Sequence, residues 1–212
     1  MENDRNMSKE DTSFKKMVLA LFLVSAIAST SLGIIYALTK ETISEARKLQ
    51  KQNAIETVLP DFDNDPLEKI EKRSVDGDTL YFYYAQENGE WIGTAVETFT
   101  NKGFSGKFKL IISFTPDGKI YNISVLEHHE TPGLGDKIEK VKSIDKNTGK
   151  SWSSQFEGKD PAEFRLAVKK DGGDVDAITA ATISSRAFCD AVQRAYDEFI
   201  RMQQETKGDS IK

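Results

Sequence analysis

The 212-residue sequence contains a single cysteine, Cys189, and only two histidines. One cysteine cannot form an internal disulfide, and without further thiolates it cannot hold zinc or an iron–sulfur cluster. His128 and His129 are neighbours, so their side chains point to opposite faces of an extended chain. We therefore predict no metal site, and any redox chemistry must use an organic cofactor. Cys189 falls inside an amphipathic helical pattern, which predicts a buried, inert thiol.

The sequence also lacks an excess of basic residues, with 29 Lys and Arg against 34 Asp and Glu and a formal net charge of -5. A nucleic-acid partner is therefore not expected. No strand is followed by the Gly-x-Gly-x-x-Gly fingerprint of a dinucleotide-binding reductase. Residues 103–107 lack the spacing of a phosphate-binding P-loop or a nucleophile elbow, which argues against nucleotide hydrolysis and serine-hydrolase chemistry.

One long segment, residues 17–38, lacks charge entirely. At about 1.5 Å per residue it is long enough to cross a hydrocarbon core of roughly 30 Å, so we predict a transmembrane helix. The alternative is a cleaved signal peptide, because Lys15 and Lys16 precede the segment and Ala26-Ile27-Ala28 resembles a cleavage site. Apolar character continues well past that site, which favours a retained anchor.

The orientation of the anchor is not decided by charge, because basic residues flank it on both sides. A short N-terminal tail stays inside more easily than a large domain. We therefore predict a cytoplasmic tail at residues 1–16 and place the rest of the chain on the periplasmic or extracellular side of the cell (inner) membrane.

Beyond the anchor, residues 39–60 are predicted as a helix that Pro60 ends. Two antiparallel hairpins should follow. One turns at Asn88-Gly89, a pair suited to positive φ angles, and the other at Pro116-Asp117-Gly118-Lys119. Their strands are predicted at residues 79–86 with 91–99, and 107–115 with 120–127.

The C-terminal part of the chain is predicted to end in a long helix over residues 183–204, where apolar residues recur every four positions. Residues 165–169 are predicted as a further strand before a turn at 171–173, and polar residues 205–212 as a flexible tail. Strands followed by terminal helices predict an α+β fold with an antiparallel sheet, in one domain at residues 61–204.

Small and hydroxyl-bearing residues fill residues 176–185, immediately before the terminal helix. A helix start exposes unpaired N–H groups and a partial positive charge, so it can bind an anion such as a phosphate. Ala180 and Ala181 leave space for one. Periodicity alone favours a simpler interpretation, in which Thr182 or Ser184 caps the helix.

The same stretch resembles the flavinylation motif of FMN-binding domains, an Asp followed by Ser or Thr, Gly, Ala and Thr, in which the last Thr accepts FMN through a phosphoester bond. Asp176, Thr179, Ala181 and Thr182 match, so the resemblance implies a phosphoprotein-type threonyl linkage at Thr182. Ala180 stands where the motif usually has Gly. A left-handed backbone would cost an alanine about 1–2 kcal/mol, so either φ is negative there or the site tolerates strain.

Residues 129–137 resemble the segment that lies against the flavin in the G subunit of Rnf-type complexes and in the C subunit of sodium-translocating NADH:quinone reductases. With residues 103–107 and 152–158, the resemblance covers nearly all of residues 39–200. The short chain and single span are closer to the Rnf subunit. Glycines in the segment let the backbone approach a planar ring, which Leu134 could shield. Without the resemblance, an ordinary loop is an equal interpretation.

The resemblance therefore implies an FMN site in the domain at residues 61–204, with no catalytic residue beyond the flavin and no metal. The predicted site residues are Asp176, Thr179, Ala180, Ala181, Thr182, Ile183, Ser184, Glu130, Thr131, Pro132, Gly133, Leu134, Gly135 and Lys107.

The function implied by the resemblance is electron transfer in a membrane-bound Rnf-type complex. Covalent FMN would relay single electrons between redox subunits while the complex oxidises ferredoxin, reduces NAD and translocates Na+ or H+. The expected partners are the other membrane and redox subunits, the lipid bilayer and a separate FAD-dependent flavin transferase. The alternative is a membrane-tethered extracytoplasmic ligand-binding or sensory domain without a redox role. The tail at residues 1–16 is too short for a signalling domain, which counts against it.

Overall fold

A computed structural model describes residues 2–209, which form two long α-helices, five β-strands and several short 3-10 helices. In chain order the helices and strands are α1 (Glu2–Val58), β1 (Ile70–Val75), β2 (Asp78–Glu87), β3 (Glu90–Gly103), β4 (Gly106–Phe114), β5 (Ile120–Glu127) and α2 (Thr182–Asp209). The chain divides between Leu49 and Gln50 into two units. The predicted α+β fold is confirmed.

The first unit is helical throughout its described residues. Among the residues described, the chain has one helix long and apolar enough to cross a membrane. Large apolar side chains in it, such as Phe22 and Leu32, are exposed rather than buried in a protein core. The predicted span at residues 17–38 lies within this helix, which makes it the candidate transmembrane segment.

The second unit is built on a five-stranded antiparallel sheet whose strands follow one another in chain order. Both predicted hairpins are confirmed, and Asn88 and Gly89 have the φ values of 53° and 80° that their turn requires. Two features were not predicted: the edge strand β1, and the tight turn that pairs β3 with β4 and joins the two hairpins into one meander.

The sheet is covered on both faces. Alternate residues of a strand point to opposite faces, so Phe82 packs beneath α2 whereas its neighbour Tyr83 packs beneath the last turns of α1. Glu97 is buried on the same face of the sheet as Tyr83. It pairs with Lys51 at 2.8 Å and accepts a hydrogen bond from the Tyr83 hydroxyl at 3.0 Å. Burial, followed by the charge of Glu97, raises the pKa of Tyr83.

The end of α1 is fixed to the sheet by side chains that satisfy its last carbonyl groups. The Ser113 hydroxyl donates to the carbonyl of Val58, and the Asn122 amide donates to that of Thr57 at 2.9 Å. The terminal carbonyls of a helix have no partner within the helix, so these bonds supply what the backbone cannot. The helix predicted over residues 39–60 is thus confirmed as far as Val58.

The predicted strand at residues 165–169 is wrong. Only an isolated bridge joins Val168 to Val175, and a 3-10 helix, Lys169–Asp171, follows directly. The chain reverses at Gly172, whose φ is 82°. The Val175 N–H donates to the carbonyl of Ala167 and not to a strand of the sheet. The backbone hydrogen bonds are therefore satisfied inside the loop.

The terminal helix is confirmed but is longer than predicted, because α2 begins at Thr182 and ends at Asp209. The tail predicted from residue 205 thus starts within a helix, and residues 210–212 lie outside the described residues. Cys189 is buried in α2, as predicted, and burial raises its pKa to about 12.

Candidate functional site

A cavity of about 300 Å³ adjoins the first turn of α2. Its walls come from the turn between β3 and β4, the segment that follows β5, and the residues around the start of α2. The residues that line it are Phe104, Glu130, Thr131, Leu134, Gly135, Ala180, Ala181, Thr182, Ile183 and Ser184. The fold therefore brings together two segments, distant in sequence, that were each predicted as part of one site.

A short network of hydrogen bonds shapes the approach to α2. The Ser185 hydroxyl accepts a hydrogen bond from the Ile178 N–H at 2.9 Å and donates to the Ala181 carbonyl at 3.0 Å. The Ala181 N–H also donates to the Ile178 carbonyl at 3.0 Å. Since Ile178 and Ser185 are buried, this turn is anchored in the core. It leaves Thr182 half-buried in the wall of the cavity.

The backbone of this turn is strained at Ala180, whose φ is 62°. Two other non-glycine residues with positive φ are Asp76 and Asn88, both in hairpin turns. Asp and Asn adopt this conformation with little penalty, whereas alanine has no side-chain group to compensate for it. Of the two possibilities that the sequence left open, the structure shows the strained one. Strain of this kind is concentrated at functional sites.

The first turn of α2 offers hydrogen-bond donors without acceptors. Among the described residues, no oxygen accepts from the N–H groups of Thr182, Ile183 or Ser184. The helix dipole adds a partial positive charge at the same place. A phosphate bound beside Thr182 would satisfy these donors, so the chemistry of the site fits an anionic group.

Two basic side chains near this end of α2 are paired with acids. Lys169 binds Asp176 at 2.8 Å, and Arg186 binds Asp171 at 2.6 Å. Arg186 holds the pKa of the Asp171 carboxyl below its usual value. None of these side chains lines the cavity. An anion in the cavity would therefore be held by backbone N–H groups rather than by these lysine and arginine side chains.

Some predicted site residues lie outside the cavity wall. The Lys107 ammonium pairs with the carboxylate of Asp78 and lies over the Phe99 ring, 5.2 Å from its centroid. Asp176 is exposed, and its backbone carbonyl accepts a hydrogen bond from the Trp152 indole at 2.5 Å. The contacts of these two residues shape the surrounding loops rather than the cavity itself.

Three more predicted residues lie close to the wall without lining it. Pro132 and Gly133 are exposed in the turn between two lining residues, where the Leu134 N–H donates to the Thr131 carbonyl at 3.1 Å. Thr179 is also exposed, beside Ala180. These residues thus set the course of the backbone around the cavity.

Phe104 was not predicted as a site residue. It lies in the β3–β4 turn and is 66% exposed. Ile183 and Leu134 are 48% and 41% exposed, so the cavity has an apolar rim. The signal available in the sequence was a large aromatic residue flanked by Gly103 and Ser105-Gly106, a place where turns usually carry polar side chains.

A larger cavity, of about 890 Å³, lies towards the other end of α2, where its lining includes Tyr84, Trp91 and Met202. Along the helix axis, Thr182 and Met202 are separated by roughly 30 Å at 1.5 Å per residue. None of the predicted site residues lines this cavity. Cavity volume alone therefore does not identify the candidate site. The smaller cavity is the one lined by predicted site residues.

Comparison with known proteins supports the same location. Residues 103–197 match the FMN-binding domain family. This match includes the β3–β4 turn, the segment after β5 and the start of α2, which together form the cavity wall.

Curated relatives extend the similarity to most of the chain. It is 35% identical over 192 residues to the G subunit of the ion-translocating oxidoreductase complex of Erwinia tasmaniensis, covering 86% of this chain and 88% of that protein. The G subunit of Shewanella loihica is 34% identical over 202 residues, covering 91% and 92%, and that of Salmonella typhi is 36% identical over 188 residues, covering 84% and 86%. The chain therefore belongs to the family of G subunits of ion-translocating oxidoreductase complexes, and its second unit contains an FMN-binding domain.

Proposed function

We propose that Thr182 carries FMN through a phosphoester bond and that the chain relays single electrons between redox subunits of an Rnf-type complex. The observation that carries this proposal is the position of Thr182. This half-buried residue lies in the wall of a cavity, at a helix start whose N–H groups lack acceptors, inside a segment that matches an FMN-binding domain.

The residues around the cavity fit such a group. The N–H groups of the first turn of α2 would hold the phosphate oxygens beside Thr182. Phe104, Leu134 and Ile183 supply an apolar rim that would exclude water from a planar ring system. When bound, FMN supplies the one-electron chemistry, and the protein supplies position and electrostatics. A covalent tether would also keep the group at a fixed distance from its electron donor and acceptor.

The segment is also accessible to a modifying enzyme. Thr179, Ala180 and Ile183 are exposed on either side of Thr182. A separate FAD-dependent flavin transferase would bind this surface, break the pyrophosphate bond of FAD, join the FMN phosphate to the threonine oxygen and release AMP. This access matters because the transferase has to reach the Thr182 hydroxyl before FMN occupies the cavity.

The names of the relatives place those proteins in an ion-translocating oxidoreductase complex. For this chain we infer a role among the membrane and redox subunits of such a complex, which transfers electrons from ferredoxin to NAD and translocates Na+ or H+. The candidate transmembrane helix would anchor the chain in the inner membrane, with residues 1–16 in the cytoplasm and the FMN domain on the periplasmic or extracellular side.

The linkage is tested by coexpressing the full chain and the transferase, then recording flavin fluorescence after denaturing electrophoresis. Thr182→Ala should remove the fluorescence while leaving the protein folded. Thr148→Ala is the control, because it removes an exposed threonine hydroxyl outside the motif and the cavity, and it should retain the fluorescence. A fluorescent Thr182→Ala protein would refute the assigned linkage.

The orientation is tested by protease treatment of intact spheroplasts. Because we place the domain outside the cytoplasm, externally added protease should digest it, and a cytoplasmic marker protein should survive. A domain that survives until the membrane is permeabilised would contradict this topology.

A further inference from the structure

Glu130 is a buried carboxylate in the cavity wall, only 4% exposed. One of its oxygens, Oε2, accepts a hydrogen bond from the Ser184 hydroxyl at 2.5 Å, and the other, Oε1, accepts one from the Ser105 N–H at 3.1 Å. Among residues 14–206, whose side chains the structure describes, no lysine or arginine forms an ion pair with it. Both oxygens thus accept from neutral donors, an arrangement that suits the ionised carboxylate.

Two glycines make room for this carboxylate. A Cβ atom on Gly103 would lie 2.6 Å from Oε1 of Glu130, and one on Gly135 would lie 2.6 Å from Oε2. Neither distance is possible unless the carboxylate shifts, and a Cβ atom on Gly103 would also clash with the Gly106 carbonyl. Glu130 is therefore enclosed between the β3–β4 turn and the first turn of α2, and it connects the segment that carries Phe104 to the helix that carries Thr182.

Burying a carboxylate without a cationic partner destabilises a protein unless hydrogen bonds offset the loss of hydration. An apolar side chain would join the same two segments without that penalty. Packing therefore does not explain why this position carries a charge. The charge lies in the wall of the same cavity that Thr182 lines.

We propose that Glu130 lowers the reduction potential of the FMN attached to Thr182, by placing a fixed negative charge in the cavity wall. This inference rests on the proposed function. When a one-electron donor is oxidised and the flavin is reduced, one negative charge enters the cavity and no covalent bond in the protein forms or breaks. A nearby buried carboxylate opposes that charge, because Coulomb interactions are strong where water is excluded.

The test is a spectroelectrochemical titration of the full-length, flavinylated protein in detergent, with dye mediators as electron donors. Glu130→Gln removes the charge and keeps both hydrogen bonds, because a glutamine can accept from the Ser105 N–H and donate to the Ser184 hydroxyl. We expect a more positive midpoint potential. A tenfold change in the ratio of reduced to oxidised flavin corresponds to about 59 mV for a one-electron step. An unchanged or more negative potential would overturn the proposal.

Two variants separate charge from structure. Glu130→Asp keeps the negative charge in the cavity wall but shortens the side chain and disturbs its hydrogen bonds, so it should not raise the potential. A rise equal to that of Glu130→Gln would show a structural effect and overturn the proposal. Glu97→Gln is the matched control, since Glu97 is another buried glutamate, 5% exposed, packed beneath α1 rather than at the cavity. Its potential should equal that of the wild type.

A further variant keeps the proposal testable if Glu130→Gln does not fold. Thr131→Lys adds a positive charge to the same wall and should also raise the potential, and an unchanged value would count against the role of Glu130. Intact mass of the wild type is measured first. A wild type without FMN on Thr182 would overturn the proposed function. If the wild type is flavinylated but neither Glu130→Gln nor Thr131→Lys changes the potential, only the role of Glu130 is overturned.

Discussion

The strained turn before α2 leads to a prediction about stability. Ala180 has a φ of 62°, which costs an alanine about 1–2 kcal/mol, whereas glycine adopts this conformation freely. The extra freedom of glycine in the unfolded chain offsets about 0.4–1 kcal/mol of that gain. Ala180 is exposed, so removing its methyl group loses little buried area. Ala180→Gly should therefore raise the free energy of unfolding by about 0.5–1 kcal/mol.

The assay is urea unfolding of the full chain, followed by tryptophan fluorescence. Trp91 and Trp152, the two tryptophans of the sequence, both lie in the second unit, so the signal reports on the domain rather than on the candidate membrane helix. In thermal unfolding the same change corresponds to a rise in Tm of about 1–4 °C for a domain of this size.

The neighbouring residue provides a matched control. Ala181 has no positive φ and is buried, so Ala181→Gly loses packing and adds unfolded-state freedom without relieving strain. It should lower the stability by about 1–2 kcal/mol. If Ala180→Gly were as destabilising as Ala181→Gly, or had no effect, the interpretation of Ala180 as a strained residue would be wrong.

Two further predictions concern α2. Because burial raises the pKa of Cys189 to about 12, a thiol reagent at pH 8 should label it slowly in the folded protein and rapidly in urea; rapid labelling of the folded protein would contradict its burial. Burial raises the pKa of Asp190, but hydrogen bonds from Lys102 and Thr100 lower it, so the net pKa lies below its usual value. These hydrogen bonds therefore stabilise the fold above about pH 4, and the stabilisation is lost as the pH falls through the lowered pKa of Asp190. Asp190→Asn should reduce the urea midpoint at pH 7 and flatten the acid-induced loss, whereas the exposed control Asp197→Asn should change neither.

Much of the sheet could be predicted from sequence because the residues within each turn determine its conformation. Asn88-Gly89 indicates a hairpin through its own backbone preferences, without information from the rest of the chain. Strand β1 was missed because its residues, such as Glu71 and Arg73, lack an apolar alternation. β1 is an edge strand with no fully buried residue, so its pairing with β2 is decided by a neighbour rather than by its own sequence.

The candidate site was predictable to the extent that it is made of two short motifs. The stretch around Thr182 and the one around Leu134 each carry their own signal, and the fold joins them at one cavity. The partners of side chains could not be predicted in the same way. Lys107 is paired with Asp78, 29 positions away in the sequence, and that contact follows from the sheet register rather than from any local pattern.

The buried position of Glu130 shows the same limit from another side. The family resemblance implied that Glu130 belongs to the predicted FMN site, but its partners Ser105 and Ser184 come from two other segments. The space that it occupies depends on the absence of side chains at Gly103 and Gly135. These are properties of the assembled domain, so a single sequence could not reveal them.

The central claim is most directly tested by peptide mapping of the chain isolated from its own membranes. Trypsin should release residues 171–186 as one peptide, which contains Thr179, Thr182, Ser184 and Ser185. Fragmentation mass spectrometry should locate one FMN, joined with loss of water, on Thr182. An unmodified peptide from the active complex, or FMN on one of the other three hydroxyl groups, would contradict the account.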